Sequence, residues 1–150
     1  MALGVRDIIV CGHSDCGAMK ALMNPEMMAN MPNVAAWLRH SSAAHSVVSQ
    51  GYPELENQEA VRVATLENVV AQIAHLRTHP SVASGIARGE IALHGWFFDI
   101  NEGAILALDG ESGRFMPVRE DHPFPVALNA APRRASDLGY SDRAFAEAAE

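Results

Sequence analysis

Apolar residues arrive along this chain in short runs and in helical stripes. Asp7-Ile8-Ile9-Val10-Cys11 is an apolar run of strand length, and Gly17-Ala18-Met19-Lys20-Ala21-Leu22-Met23 reads as a helix start just after it. Asn24-Pro25 and Asn30-Met31-Pro32 punctuate a Met-rich loop. Those methionines read as gap-fillers over a core or a subunit contact rather than as a ligand set. Pro32 suits the first turn of a helix, and Val34, Trp37, Leu38, Val47 and Val48 follow at helical spacing until Gly51-Tyr52-Pro53 breaks it. The clearest amphipathic helix comes next. Val63, Leu66, Val70 and Ile73 are spaced three, four and three, with Arg62, Glu67, Asn68 and Gln72 on other faces, and His79-Pro80 stops it. A short helix around Val82–Arg88 ends at Gly89, a natural C′ residue.

Ile91–Ile100 predicts a strand buried on both faces, apolar nearly throughout except for His94 and Asp99. Asn101-Glu102-Gly103 turns the chain into a strand over Ala104–Leu108, and Asp109–Gly113 turns it again into Arg114–Val118. Such close spacing suits antiparallel edge strands appended to a parallel core. The expectation is an α/β fold: a mostly parallel sheet flanked by helices, with antiparallel edge strands. Prolines and charges dominate from Arg119 onward. The domain is therefore expected over residues 1–118, and 119–150 as a C-terminal arm or mobile tail with a helical turn near Ala144–Ala149. There is no internal repeat.

Composition narrows the partners. A chain of 150 residues is one domain's worth, large enough for a real core. Eleven basic against 18 acidic residues give a net charge of −7, which argues against nucleic acid or an anionic membrane surface. No stretch approaches a membrane span, and the amino terminus lacks the layout of a signal peptide. Two cysteines, Cys11 and Cys16, are not a secreted disulfide framework. A soluble, cytoplasmic protein is expected.

The densest chemistry lies in Gly12-His13-Ser14-Asp15-Cys16-Gly17. A borderline-soft metal such as zinc takes imidazole and thiolate, and His13 and Cys16 supply one of each where a strand's carboxyl end turns into a helix. Gly12 permits a tight bend there. A structural zinc would need two further ligands, so a catalytic zinc with three protein ligands and an open position fits the meagre supply better. The bland alternative is a structural loop with an unliganded His and Cys. In an extended strand Cys11 faces the same way as His13, yet reaching one metal from positions 11, 13 and 16 demands a sharp kink. A thiol packed as a small hydrophobe is the commoner state. A redox pair of Cys11 and Cys16 does not have Cys-x-x-Cys spacing. Asp15 either orients a ligand or sits as a carboxylate near a helix's positive end. His94 reads as a hydrogen-bonded core histidine, and Trp96, Phe97 and Phe98 as core or interface bulk. His40, His45, His75, His79 and His122 carry no mutual spacing that suggests a site.

The run LGVRDIIVCGHSDCGAMKALM, followed by PNVAAWLRH and LENVVAQIAHLRTHPSVASGIARGEIALHGWFFDINEGAI, resembles a β-class carbonic anhydrase over residues 3–118. The resemblance implies a zinc lyase interconverting carbon dioxide and bicarbonate, working as a homo-oligomer. In such a site zinc lowers the pKa of bound water from 15.7 to about 7, giving hydroxide at neutral pH to attack the carbon. His13 and Cys16 match the second and third of the family's Cys, His, Cys ligands. The family's first ligand and an Asp–Arg dyad come from an upstream Cys-x-Asp-x-Arg motif, which this sequence does not contain. The resemblance therefore implies an N-terminally truncated domain in which no catalytic residue of the dyad is present. It leaves two other readings open: a non-catalytic remnant or partner subunit, and a zinc hydrolase of carbon disulfide or carbonyl sulfide.

Overall fold

The computed structural model describes residues 4–119 and 125–128. Four strands form one mixed sheet in the order β1-β2-β3-β4: β1 (Asp7–His13), β2 (Ala92–Asp99), β3 (Ala104–Leu108) and β4 (Phe115–Pro117). β1 pairs parallel with β2, while β2–β3 and β3–β4 are antiparallel. The long connection between β1 and β2 holds every α-helix among the described residues: α1 (Gly17–Met23), α2 (Pro32–Leu38), α3 (Ser42–Gly51), α4 (Asn57–Thr78) and α5 (Pro80–Ala87). This is the α/β class, with the antiparallel strands at one edge and β1 at the other.

α4 is the organising element. Its Leu66, Val69 and Ile73 join Leu93, Phe97, Leu106, Leu108 and Phe115 of the sheet in the main core. Two glycines let it come close. A Cβ on Gly12 would lie 2.6 Å from Thr65 Cγ2, and one on Gly95 would lie 2.9 Å from Ile73 Cδ1. Gly12 is therefore required by the approach of α4 rather than by a bend, and β1 runs straight through it to His13. The other side of α4 receives α3, where Val48 meets Ala60, Val63 and Ala64.

Two expectations are corrected. The helix expected to run from Pro32 past Val48 breaks after Leu38 into a 3₁₀ turn over Arg39–Ser41 before α3 begins. Leu38, Ser41 and Ala44 are all buried, and the tighter turn eclipses residues three apart, keeping them on one side. Gln72 Nε2 donates to the His40 carbonyl at 3.2 Å, satisfying a group that the break leaves over. β2 is buried on one face, not two. Leu93, Gly95, Phe97 and Asp99 are buried against α4, whereas Phe98 is exposed on the opposite face. That face also carries Ile9, Cys11, His13, His94 and Trp96 in register, with Ile9, Cys11 and His13 exposed and His94 and Trp96 half-buried. His94 is hydrogen-bonded there, its Nε2 donating to Asp7 Oδ1 at 2.9 Å.

Of the C-terminal stretch only 125–128 is described, and it is tied to the domain. The Leu128 amide donates to the Leu93 carbonyl at 2.8 Å, and Arg77 Nη2 to the Leu128 carbonyl at 2.6 Å. The helical turn expected near Ala144–Ala149 lies outside the described residues.

Glu67 is a buried carboxyl on α4, one turn beyond Val63 and Ala64, and its Oε1 has no hydrogen-bond partner. Burial pushes its pKa up from 4.5 to about 7. The unfolded chain ionises Glu67 at lower pH than the folded one, so folded protein holds the extra proton and stability falls as pH rises through that interval. The Glu67 contribution should drop by on the order of 2 kcal/mol between about pH 5 and about pH 8. Denaturant midpoints of wild type and Glu67→Gln across that range check this. The Gln variant should lose most of the slope, and an unchanged slope would assign it to other groups.

Candidate metal centre

His13 is the last residue of β1, and its ring is exposed on the open face of the sheet. Nδ1–H donates to the Ser14 carbonyl at 2.8 Å. A carbonyl only accepts, so in the neutral ring the lone pair sits on Nε2, the nitrogen left to bind a metal. Cys16 follows as the residue that opens α1, half-buried against Met19 and Leu22. The loop between them is held to the end of β2. Ser14 donates its amide to the Phe98 carbonyl at 2.9 Å, and Ser14 Oγ accepts from the Ile100 amide at 2.8 Å. Ser14 is a positioning residue that the spacing of His and Cys did not reveal. A serine flanked by two chemically active residues carries no periodic signal; its role depends on a strand 86 positions away.

His13 and Cys16 line one open cleft of about 610 Å³, with Cys11 beside them and Trp37, His40 and His75 around the rim. The histidines without useful spacing thus partly converge in space. His75 Nδ1 donates to Gln72 Oε1 at 3.3 Å, and Gln72 Nε2 donates to Asn68 Oδ1 at 3.0 Å. Asp15 does not face the cleft; its carboxylate pairs with Lys20, and its backbone stands at φ 57°. Cys11 Sγ–H donates to the Gly12 carbonyl at 3.3 Å, and desolvation on the sheet face pushes its thiol pKa up.

The donor types suit zinc, but the donor number does not. Among the described residues no three His, Cys, Asp or Glu side chains converge closely enough to hold a metal ion. His13 and Cys16 make half of a tetrahedral set. The described helices include none long and apolar enough to cross a membrane.

The fold is an α/β domain with an imidazole and a thiol where the carboxyl end of β1 turns into α1. The family model described as carbonic anhydrase matches residues 1–105, and the chain belongs to that family. Its relatives and structural neighbours place it in the β class. It is 47% identical over 135 residues to a carbonic anhydrase of Pseudomonas aeruginosa, covering 89% of this chain and 60% of that protein. It is 45% identical over 117 residues to carbonic anhydrase 1 of Escherichia coli O157:H7, covering 78% and 53%. The structure of the β-carbonic anhydrase CcaA superposes with a TM-score of 0.78 at 37% identity, over 85% of this chain and 56% of that one. One of two tetrameric β-carbonic anhydrases from Sordaria macrospora gives 0.63 at 28% identity, over 69% and 52%. The chain spans little more than half the length of these proteins.

Proposed function

We propose that this chain is part of a zinc-dependent carbonic anhydrase catalysing reversible hydration of carbon dioxide to bicarbonate, with His13 and Cys16 as two of its zinc ligands. The observation that carries this reading is the pairing of a free imidazole Nε2 with a thiol in one cleft at the carboxyl end of β1. Membership of the carbonic anhydrase family supports the substrate. Zinc is supported by the donor types, which match the N/S preference of that ion. The reading carries a homo-oligomeric, cytoplasmic protein with it. The apolar open face and the tetrameric relatives support assembly. Two free cysteines, neither in a disulfide, accord with a reducing compartment.

His13 contributes the lone pair of Nε2, fixed by the Ser14 carbonyl on the other ring nitrogen. Cys16 contributes a thiolate, and Ser14 holds both in register with β2. No residue is assigned a catalytic role, because the Asp–Arg pair of the family motif has no counterpart here. The described residues bring together two of the three donors that a catalytic zinc needs.

Competition with a zinc chelator tests the ligand assignment. Zinc should bind far more loosely than at a three-ligand site. Cys16→Ser and His13→Ala should each weaken it by at least about tenfold, and Cys11→Ser should leave it unchanged. Zinc affinity indifferent to Cys16 and His13 would remove the assignment. Tight binding abolished by Cys11→Ser would make Cys11 a ligand.

A further inference from the structure

We propose that Asp99 is a positioning residue for His13: its carboxylate fixes the β2–β3 turn, the turn fixes Ser14, and Ser14 fixes the imidazole. The proposal rests on the reading of His13 as a functional ligand and goes beyond it in naming what holds the ring.

Asp99 is the polar side chain of the β2 face that meets α4, following Leu93, Gly95 and Phe97, and it is buried. Packing does not ask for a carboxylate there, and burying one costs free energy unless its oxygens are bonded. Its bonds run forward into the turn. Oδ1 accepts from the Asn101 amide at 3.0 Å and from the Glu102 amide at 3.3 Å. The turn is tight: Asp99 pairs in register with Ala104, where β3 begins, and Gly103 closes the turn at φ 64°. Ile100 opens the turn, and its amide points away from it to Ser14 Oγ at 2.8 Å.

Ser14 is thus gripped on both sides of Asp99. Its own amide donates to the carbonyl of Phe98, the residue before Asp99, and its Oγ accepts from Ile100, the residue after. Those two bonds leave the Ser14 carbonyl in one direction, where it accepts Nδ1–H of His13 at 2.8 Å. The His13 ring is exposed, so close packing does not hold it. What selects its tautomer and orientation is the partner of Nδ1. Asp15, the carboxylate nearest to His13 in sequence, is turned to Lys20 instead. The path from Asp99 to His13 is therefore a contiguous run of hydrogen bonds and short backbone, with a donor and an acceptor at each step.

Long-range proton–nitrogen NMR spectra of the His13 ring, taken on the metal-free 150-residue chain at a pH where the ring is neutral, test this. Wild type should carry the hydrogen on Nδ1, with His13→Ala assigning the signal. Asp99→Ala and Ser14→Ala should each raise the other tautomer by about fivefold, the equivalent of one lost hydrogen bond. Exchange of the Ile100 amide should speed up by about the same fivefold factor. Asp99→Asn and Ser14→Thr keep an acceptor oxygen and should behave as wild type on both readouts. Asp99→Leu matches Asn in size and has no acceptor, so it should reproduce Asp99→Ala and decides the case if the alanine cavity unfolds the chain. Asp99→Ala combined with Ser14→Ala should move the tautomer no further than either alone, since both cut one path. A role confined to the turn predicts lower melting temperatures and faster Ile100 exchange in the Asp99 variants with the His13 tautomer unchanged, and that result would overturn the proposal. A hydrogen on Nε2 in wild type would overturn it as well. The measurement uses no metal, so the ligand assignment stands or falls separately, on the chelator competition.

Discussion

Stopped-flow measurement of carbon dioxide hydration by these 150 residues at saturating zinc should give the buffer background and no more. A catalytic zinc needs three protein ligands to fix its geometry and one open position for water. The described residues bring together His13 and Cys16 and no third donor. The positioning groups are lacking too, since no Cys-x-Asp-x-Arg motif occurs in the sequence. Changing the groups around a metal ligand typically costs 10–100-fold, and losing a ligand alters the geometry itself. Against turnover that reaches about 10⁶ s⁻¹ in a complete zinc site, the expected loss spans many orders of magnitude. A hydration rate well above background and lost in His13→Ala would show that other residues complete the site. Carbon disulfide should be assayed beside carbon dioxide, since the same incomplete site predicts background for both.

The helices and strands were legible wherever a single period ran long enough. Val63, Leu66, Val70 and Ile73 announced α4, and the turn residues at 101–103 and 109–113 placed β3 to the residue and β4 within one residue at each end. The break between α2 and α3 was not legible. Leu38, Ser41 and Ala44 are spaced by three, and a spacing of three is compatible with either helix type until the neighbouring α4 decides it. Gly12 misled for a related reason. A glycine after a strand suggests a bend, whereas its missing Cβ here makes room for Thr65, more than fifty positions away.

The half-buried character of β2 was hidden by composition. Trp96, Phe97 and Phe98 are all aromatic, so the strand read as apolar on both faces. The alternation of burial emerges only once α4 is known to lie on one side. The site divides in the same way. His13 and Cys16 were readable because their spacing is local and their chemistry specific. Ser14 acts through Phe98 and Ile100, and the approach of His40 to His75 depends on Gln72 reaching the 3₁₀ turn. Contacts of that kind have no local period to betray them.

Phe97 and Phe98 are adjacent aromatic residues, and truncating them should have very different costs. Phe97 is 0% exposed, stands in register with Gly12 and Leu106, and has the Arg62 guanidinium over its ring at 5.6 Å from the centroid. Phe97→Ala removes a fully buried ring between two strands and α4, leaving a cavity that a close-packed core cannot fill. The expected loss is about 3–5 kcal/mol, with a further contribution of roughly 0.5–1 kcal/mol from the cation over the ring. Set against a total stability of about 5–15 kcal/mol, that leaves a largely unfolded chain near physiological temperature. Phe97→Leu keeps much of the volume and should cost about half as much. Phe98 faces the open side, so Phe98→Ala should cost roughly 1 kcal/mol or less in metal-free protein. Urea midpoints followed by circular dichroism on the three variants test the ranking. Equal losses for Phe97→Ala and Phe98→Ala without metal would mean that the open face is already covered in solution.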